Sequence, residues 1–277
     1  MIRGLVVAGA DLHPTVSVGT SRRGAQIFAR RVETDQDVYV RNPDACWGGP
    51  EIQEVLRRAA QGVRQAHPGG ERLVVGDASR RNGGRFRPHY THQLGRDVDM
   101  RYFLTGGTIG DYEYRPVTRA NMDLPRNWTL IASFASLKSV DRILMDYRHQ
   151  RSLWRYARSI GISKVALERV FSYPRGRAVK GALIQHARGH WNHLHVRVRG
   201  TAARRLGQSW NIRQIRKMQR RYDRFLGRVL KHLVIEGDSL LGIARRYRVP
   251  LDELKRLNRR FDKQPLLPGD VVQLRRP

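Results

Sequence analysis

Two short segments of this 277-residue chain concentrate side chains able to do chemistry. The first runs His89-Tyr90-Thr91-His92-Gln93-Leu94-Gly95-Arg96-Asp97-Val98-Asp99, and the second, far downstream, His190-Trp191-Asn192-His193-Leu194-His195. Together they hold five of the ten histidines and two carboxylates. A mononuclear catalytic zinc takes three ligands from imidazoles and carboxylates and keeps one position open for water. His92, Asp99 and His195 suit that ligand set. No conspicuous Gly-x-Ser-x-Gly or Ser-x-x-Lys arrangement offers a competing serine nucleophile.

The local patterning explains how such residues meet. Asp97-Val98-Asp99-Met100-Arg101-Tyr102-Phe103 alternates polar and apolar, as does His193-Leu194-His195-Val196-Arg197-Val198. Both read as half-buried strands. On a strand, side chains two apart share a face, so Asp97 points with Asp99 and His193 with His195. Adjacent strands then bring the two faces to one ion. His92 lies in the approach to the first strand, where Gly95 permits a turn. Asp97 reads either as a structural carboxylate, as one that orients a ligand imidazole through its free N–H, or as a substrate contact. Three readings stay open for His89: substrate contact, metal contact, or support of its loop.

His-x6-Asp followed by His-x-His resembles the signature of the LAS metallopeptidases. The longer forms, His89-x-x-His92-Gln93-x-Gly95-x-Asp97-x-Asp99 and His190-x-x-His193-x-His195, resemble those of the penicillin-insensitive murein endopeptidases. Leu73-Val74-Val75-Gly76-Asp77-Ala78-Ser79 and Gly83-Gly84 supply matching context, and the likeness runs from about residue 40 to 200. The resemblance implies one zinc ion per chain on His92, Asp99 and His195, with His193 and His190 in catalysis and His89 nearby. It also implies hydrolysis of murein cross-links, the D-alanyl–meso-diaminopimelyl bond among them. Some members are described with a second metal held partly by a histidine in the following loop. Leu104 to Asn127 contains no histidine, so no second zinc is expected.

The positioning elements follow from periodicity. Residues 1–45 read as an arm with two short strands, at Ala25-Gln26-Ile27-Phe28 and Val38-Tyr39-Val40. From Pro50, apolar residues recur at helical spacing (Ile52, Val55, Leu56, Ala59, Val63) until Pro68-Gly69-Gly70 ends the helix. Arg72 to Val75 reads as a strand. Asp123 and Pro125 open a helix with Trp128, Ile131, Phe134 and Leu137 on one face, and Arg142 to Met145 forms a strand. Further helices are expected around Leu153–Ile160 and Val165–Phe171. Trp128 and Trp154 read as core, whereas Trp191 is placed to line the cleft. Residues 201–230 read as a basic amphipathic helical linker that docks the flanking domains and contacts anionic surfaces.

The C-terminal segment 231–277 carries a different resemblance. His232-Leu233-Val234-Ile235-Glu236-Gly237-Asp238-Ser239, then Val249-Pro250-Leu251, Leu257-Asn258 and Leu267-Pro268-Gly269-Asp270, is similar to a LysM domain. The turn and cap signals give β-α-α-β. The resemblance implies binding of N-acetylglucosamine-containing glycans, with Gly237, Asp238, Ser239 and Leu266 as contact candidates.

Composition bounds the rest. A formal net charge of +29, from 53 basic and 24 acidic residues, draws the chain to polyanions. No nucleic-acid-binding motif accompanies that charge, and an anionic envelope surface is the expected partner beside peptidoglycan. The single Cys46 excludes an internal disulfide. Met1 to Ala10 is a poor secretory signal, so a periplasmic or secreted location requires another export route or a signal outside this chain. The expected architecture is α+β: a LAS-type metallopeptidase domain (46–200) whose central antiparallel sheet carries the zinc site, plus the small LysM domain. The function to test is murein endopeptidase. Its rivals are a D,D- or L,D-carboxypeptidase and a non-catalytic wall-binding protein.

Overall fold

The computed structural model describes residues 14–107, 110, 112–229, 231–247 and 249–274. The start of the expected arm, residues 1–13, lies outside them. In chain order the first elements are strands β1 (Val16–Thr20), β2 (Arg23–Ile27), β3 (Arg30–Arg31), β4 (Val38–Val40) and β5 (Trp47–Gly48). Helix α1 (Pro50–Ala66), strands β6 (Leu73–Val75) and β7 (Asp97–Arg101), helix α2 (Leu124–Ser136) and strand β8 (Val140–Met145) follow. Then come helices α3 (Tyr147–Ser159) and α4 (Lys164–Val170), and strands β9 (Ile184–His186) and β10 (His193–Val198). Helices α5 (Thr201–Leu206) and α6 (Ile212–Val229) lead to β11 (Lys231–Leu233), α7 (Leu240–Tyr247), α8 (Leu251–Leu257) and β12 (Val271–Gln273). The chain divides into two compact units, one spanning Thr15–Ile212 and one containing Arg213–Pro277.

The α+β architecture expected from sequence is present, with one correction. The six-stranded sheet, ordered β4-β6-β7-β10-β8-β9, is mixed rather than antiparallel. Its central pairs β6–β7, β7–β10 and β10–β8 are antiparallel, but β4–β6 and β8–β9 at the edges are parallel. The physical reason is connectivity: α1 carries the chain from β4 back to β6, and α3 with α4 carry it from β8 to β9, as parallel crossovers require. Residues 15–48 pack inside the larger unit, where β4 is an edge strand of the central sheet.

One face of the sheet is apolar. Val98 and Met100 on β7 join Leu194, Val196 and Val198 on β10 in a buried cluster with Ile52, Val55, Leu56, Leu130, Ile131, Phe134, Leu153 and Ala157 from α1, α2 and α3. Trp128 and Trp154 pack against this cluster, as their helical spacing predicts. The helices are capped by the residues the sequence offers. Asp123, Asp146 and Ser163 accept hydrogen bonds from Arg126 N, Arg148 N and Ala166 N, and Pro50 opens α1.

The expected single helix over 201–230 is broken. Helix α5 contacts β1 within the larger unit, and α6 begins six residues after α5 ends. Gly207 sets this docking, because a Cβ there would collide with the main-chain oxygen of Ser17. The smaller unit has its own core of Val234, Ile243, Ala244, Leu254, Val272 and Leu274, with β11 antiparallel to β12. Its order, β-α-α-β, matches the expectation, with a 3-10 turn at Arg259–Asp262.

Opposite the apolar face, Arg101 on β7 pairs with Glu71, and both side chains are almost fully buried. Removing one member of such a pair leaves the other charge uncompensated in a dry site. Arg101→Ala is therefore expected to lower unfolding free energy by about 3 kcal/mol in denaturant titration of the full chain. A loss under about 1 kcal/mol would show the pair to be dispensable.

Candidate active site

The polar face of β7 and β10 is a row of alternating charges. Register places His195 opposite Asp99 and Arg197 opposite Asp97. Asp97 Oδ1 accepts from Arg197 Nε at 2.7 Å and from His195 Nε2 at 2.8 Å. On its other edge, His195 Nδ1 stands 2.9 Å from Asp99 Oδ1 and 3.1 Å from His92 Nε2. Asp99 Oδ1 and His92 Nε2 are 3.3 Å apart. All three residues are buried.

The backbone fixes His92 in this position. Its φ of 65° lies in the left-handed region, which costs a non-glycine residue roughly 1 kcal/mol or more. Three residues on, Gly95 also has φ 64°, where a Cβ would strike Gln26 and approach Gly48. This double turn swings the His92 ring over the start of β7. His92 Nδ1 then donates to the Ala78 carbonyl at 2.7 Å, so that in the neutral ring Nε2 is the lone-pair atom.

The same accounting applies to His195. With Nε2–H given to Asp97, its Nδ1 lone pair faces those of His92 Nε2 and Asp99 Oδ1. Three acceptor atoms thus meet with edges of 2.9–3.3 Å. Without a cation among them, such atoms repel, and the protein relieves this by binding a proton. Burial alone would lower the His195 pKa, but the Asp97 and Asp99 carboxylates outweigh it and raise it to about 9. Burial likewise works against the charged forms of both aspartates and is outweighed. Hydrogen bonding from His195 and the neighbouring cations hold Asp97 at about 2, and His92 with His195 holds Asp99 well below the ordinary range.

His193 and His190 sit beside this group. Burial lowers the His193 pKa to about 4, so its ring is neutral near pH 7. Its Nδ1 is 2.8 Å from Asn192 Oδ1, an acceptor only, so Nε2 carries the free lone pair, 3.9 Å from Asp99 Oδ2. His190 is also lowered by burial, and its Nδ1 donates to the Arg188 carbonyl at 3.0 Å. The two rings are 4.8 Å apart. The first turn of α3 holds their segment, since His149 Nε2 donates to Trp191 O at 2.8 Å and Asp146 N to His190 O at 3.3 Å. Trp191 itself is half-exposed.

His89 bridges two carboxylates. Its Nε2 is 2.8 Å from Asp77 Oδ2 and its Nδ1 is 3.4 Å from Asp99 Oδ2. Ligand atoms of His89, His92 and Asp99 lie within 4.8 Å of one another and form a second possible metal grouping. The tighter set is His92, Asp99 and His195, whose three lone pairs are aimed by fixed hydrogen bonds.

A cavity of about 780 Å³ opens over the site, lined by His89, Asp99, His193, Asp77, Tyr114 and Arg41 among others. Sequence patterning did not single out Asp77, Tyr114 or Asn192 as site residues. Asp77 follows β6 and anchors His89 and Asn42, while the Tyr114 ring stacks on His193 with centroids 6.0 Å apart. Cys46 is buried nearby, and burial, with Asp77 and Asp99, pushes its thiol far up, so it stays protonated.

The penicillin-insensitive murein endopeptidase family model matches residues 17–212, and a LysM domain model matches 232–275. The chain belongs to that endopeptidase family. It is a cell-wall peptidase, and its partner is peptidoglycan. No curated protein matches the chain. The family match begins at residue 17, inside the segment expected as an arm.

The glycan candidates on the LysM domain all take part in holding its loops. Asp238 Oδ2 accepts from His232 Nε2 at 2.6 Å and from Ile235 N at 3.0 Å, and Ser239 Oγ accepts from Gly242 N. Gly237 turns with φ 84°, and Leu266 packs on the small core. Ile235 and Leu267, beside them, are exposed.

The raised His195 pKa gives a pH signature in metal-free protein. Its folded value of about 9 lies above the unfolded 6.5, so this stabilisation is complete below pH 6.5 and lost as pH rises through 9. Asp97→Asn is expected to bring the His195 titration, followed by NMR, down by at least about one unit. An unchanged midpoint would contradict the assigned hydrogen bond.

Proposed function

We propose that this chain is a zinc-dependent endopeptidase that hydrolyses murein cross-links, with the D-alanyl–meso-diaminopimelyl bond as its target. One observation carries the reading: three buried lone pairs converge at edges of 2.9–3.3 Å. That spacing is close to the ~3.3 Å between donors on a tetrahedral ion with ~2.0–2.1 Å bonds. His92, Asp99 and His195 would hold the ion. When bound, it supplies the Lewis acidity that makes water nucleophilic near neutral pH.

The protein's own groups do the rest. Asp97 keeps the proton of His195 on Nε2, so Nδ1 faces inward. His193 is neutral at physiological pH with Nε2 open, which makes it the base that accepts the proton of the attacking water. His190, one ring away, receives that proton and delivers it to the leaving amine. Tyr114 supports the His193 ring from the cavity wall. Tethering to a LysM domain keeps the catalytic unit near an insoluble polymer at raised local concentration. Such an enzyme works at the cell envelope. Among the described residues, no helix is long and apolar enough to cross a membrane.

Metal analysis joined to digestion of a purified cross-linked muropeptide tests this reading. One zinc per chain is expected, with cleavage abolished by chelator and restored by zinc. His195→Ala is expected to lose both metal and activity. His193→Ala is expected to keep the metal while kcat falls about 10²- to 10⁴-fold. Metal-free protein that cleaves as well as the zinc-loaded form, or no cleavage by either, would overturn it. Release of terminal D-alanine alone would favour a carboxypeptidase.

A further inference from the structure

A second concavity, of about 460 Å³, lies on the catalytic unit and is lined by four arginines: Arg119, Arg148, Arg151 and Arg155. No acidic residue lines it; Leu124, Ser152, Tyr156 and Ser159 complete the wall. Arg148, Arg151 and Arg155 fall at i, i+3 and i+7 on α3, so they form one stripe along the helix. At 1.5 Å per residue, they are spaced by roughly 4.5 and 6 Å along its axis. Arg148 pairs with Asp146 at 3.2 Å, but among the described residues Arg119, Arg151 and Arg155 have no carboxylate partner. With Arg148 paired to Asp146, Arg119, Arg151 and Arg155 leave this exposed wall with net positive charge that an anion would complement.

Helix α3 also carries the link to the catalytic histidines. Its cap, Asp146, and its first-turn residue His149 hydrogen-bond the backbone of His190 and Trp191. The arginine stripe therefore starts where the second histidine segment is held.

We propose that this groove is a second peptidoglycan-binding site, in which Arg119, Arg151 and Arg155 take the carboxylates of uncleaved stem peptides. The inference rests on the cell-wall endopeptidase reading. Guanidinium forks match carboxylates bidentately, and the Tyr156 ring and Leu124 give the intervening chain an apolar floor. Stem peptides repeat along each glycan strand, so a polymer engages several arginines at once, whereas a small soluble fragment gains little. A strand lying along α3 runs toward the His190–Trp191 end of the cleft.

The test compares two substrates with the full-length, zinc-loaded protein: insoluble peptidoglycan and a soluble cross-linked muropeptide dimer. For the double variant Arg151→Glu/Arg155→Glu, the ratio of insoluble to soluble rates is expected to fall about fivefold or more at low salt. Lysine at both positions should restore only part of it, because an ammonium keeps the charge but not the bidentate fork. Amidating the polymer's free carboxylates should cost wild type the same factor while sparing the variant. An unchanged ratio overturns the proposal. So does a ratio insensitive to amidation but suppressed by phosphate polymers or DNA, because the groove then recognises phosphate. Failure of wild type to cleave the soluble dimer would instead sink the endopeptidase reading on which the proposal stands.

Discussion

The structure is organised around a local electrostatic conflict. His92 Nε2, Asp99 Oδ1 and His195 Nδ1 each present a lone pair to the same small volume, and each is prevented from turning away. Ala78 holds the far side of one imidazole, Asp97 the far side of the other, and Asp99 is fixed in the middle of a central strand. Buried acceptors facing one another cost free energy unless something positive lies between them. A proton on His195 is the weakest solution, and its raised pKa shows the demand. A divalent cation would answer that demand, and two imidazoles with a carboxylate are a donor set that suits zinc.

The surrounding fold exists to maintain this arrangement. Alternation along β7 and β10 sends Val98, Met100, Leu194 and Val196 into an apolar core and leaves every second side chain on the opposite face. That face is also buried, so its charges must neutralise one another. Arg197, Asp97, His195 and Asp99 do so in sequence, and Arg101 with Glu71 extends the row. The strained turn at His92 is affordable because Gly95 and the packed β1–β2 hairpin residue Gln26 constrain the loop from both sides.

Much of this was legible in the sequence. Period-two alternation in Asp97–Phe103 and His193–Val198 placed four site residues on one sheet face, and the register confirms the meeting of His195 with Asp99. The helix starts follow from Pro50 at the first position of α1 and from the Asp123 cap of α2. What the sequence did not reveal depends on contacts between distant segments. The parallel edge strands require knowing that β4 and β9 pair across helical crossovers. Position 207 admits only glycine because an oxygen on β1, nearly two hundred residues earlier, fills the space a Cβ would take. Asp77 and Tyr114 carry no local pattern, since their relevance arises only when their loops close over His89 and His193. Asn192 was the accessible omission, because an amide next to His193 can set its tautomer. On the LysM domain, the cap signal at Ser239 is legible in the sequence, whereas the bond from His232 to Asp238 joins residues whose pairing only the fold reveals.

If the three inward lone pairs form one metal site, His195 enters it through Nδ1. Long-range 1H–15N NMR of histidine-labelled protein, without metal and with one equivalent of zinc, tests it most directly. Zinc is expected to remove the proton from His195, leaving Nε2–H and a metal-bound Nδ1, while His92 binds through Nε2. Zinc-dependent changes confined to His89 and His92, with His195 still doubly protonated at pH 7, would contradict it.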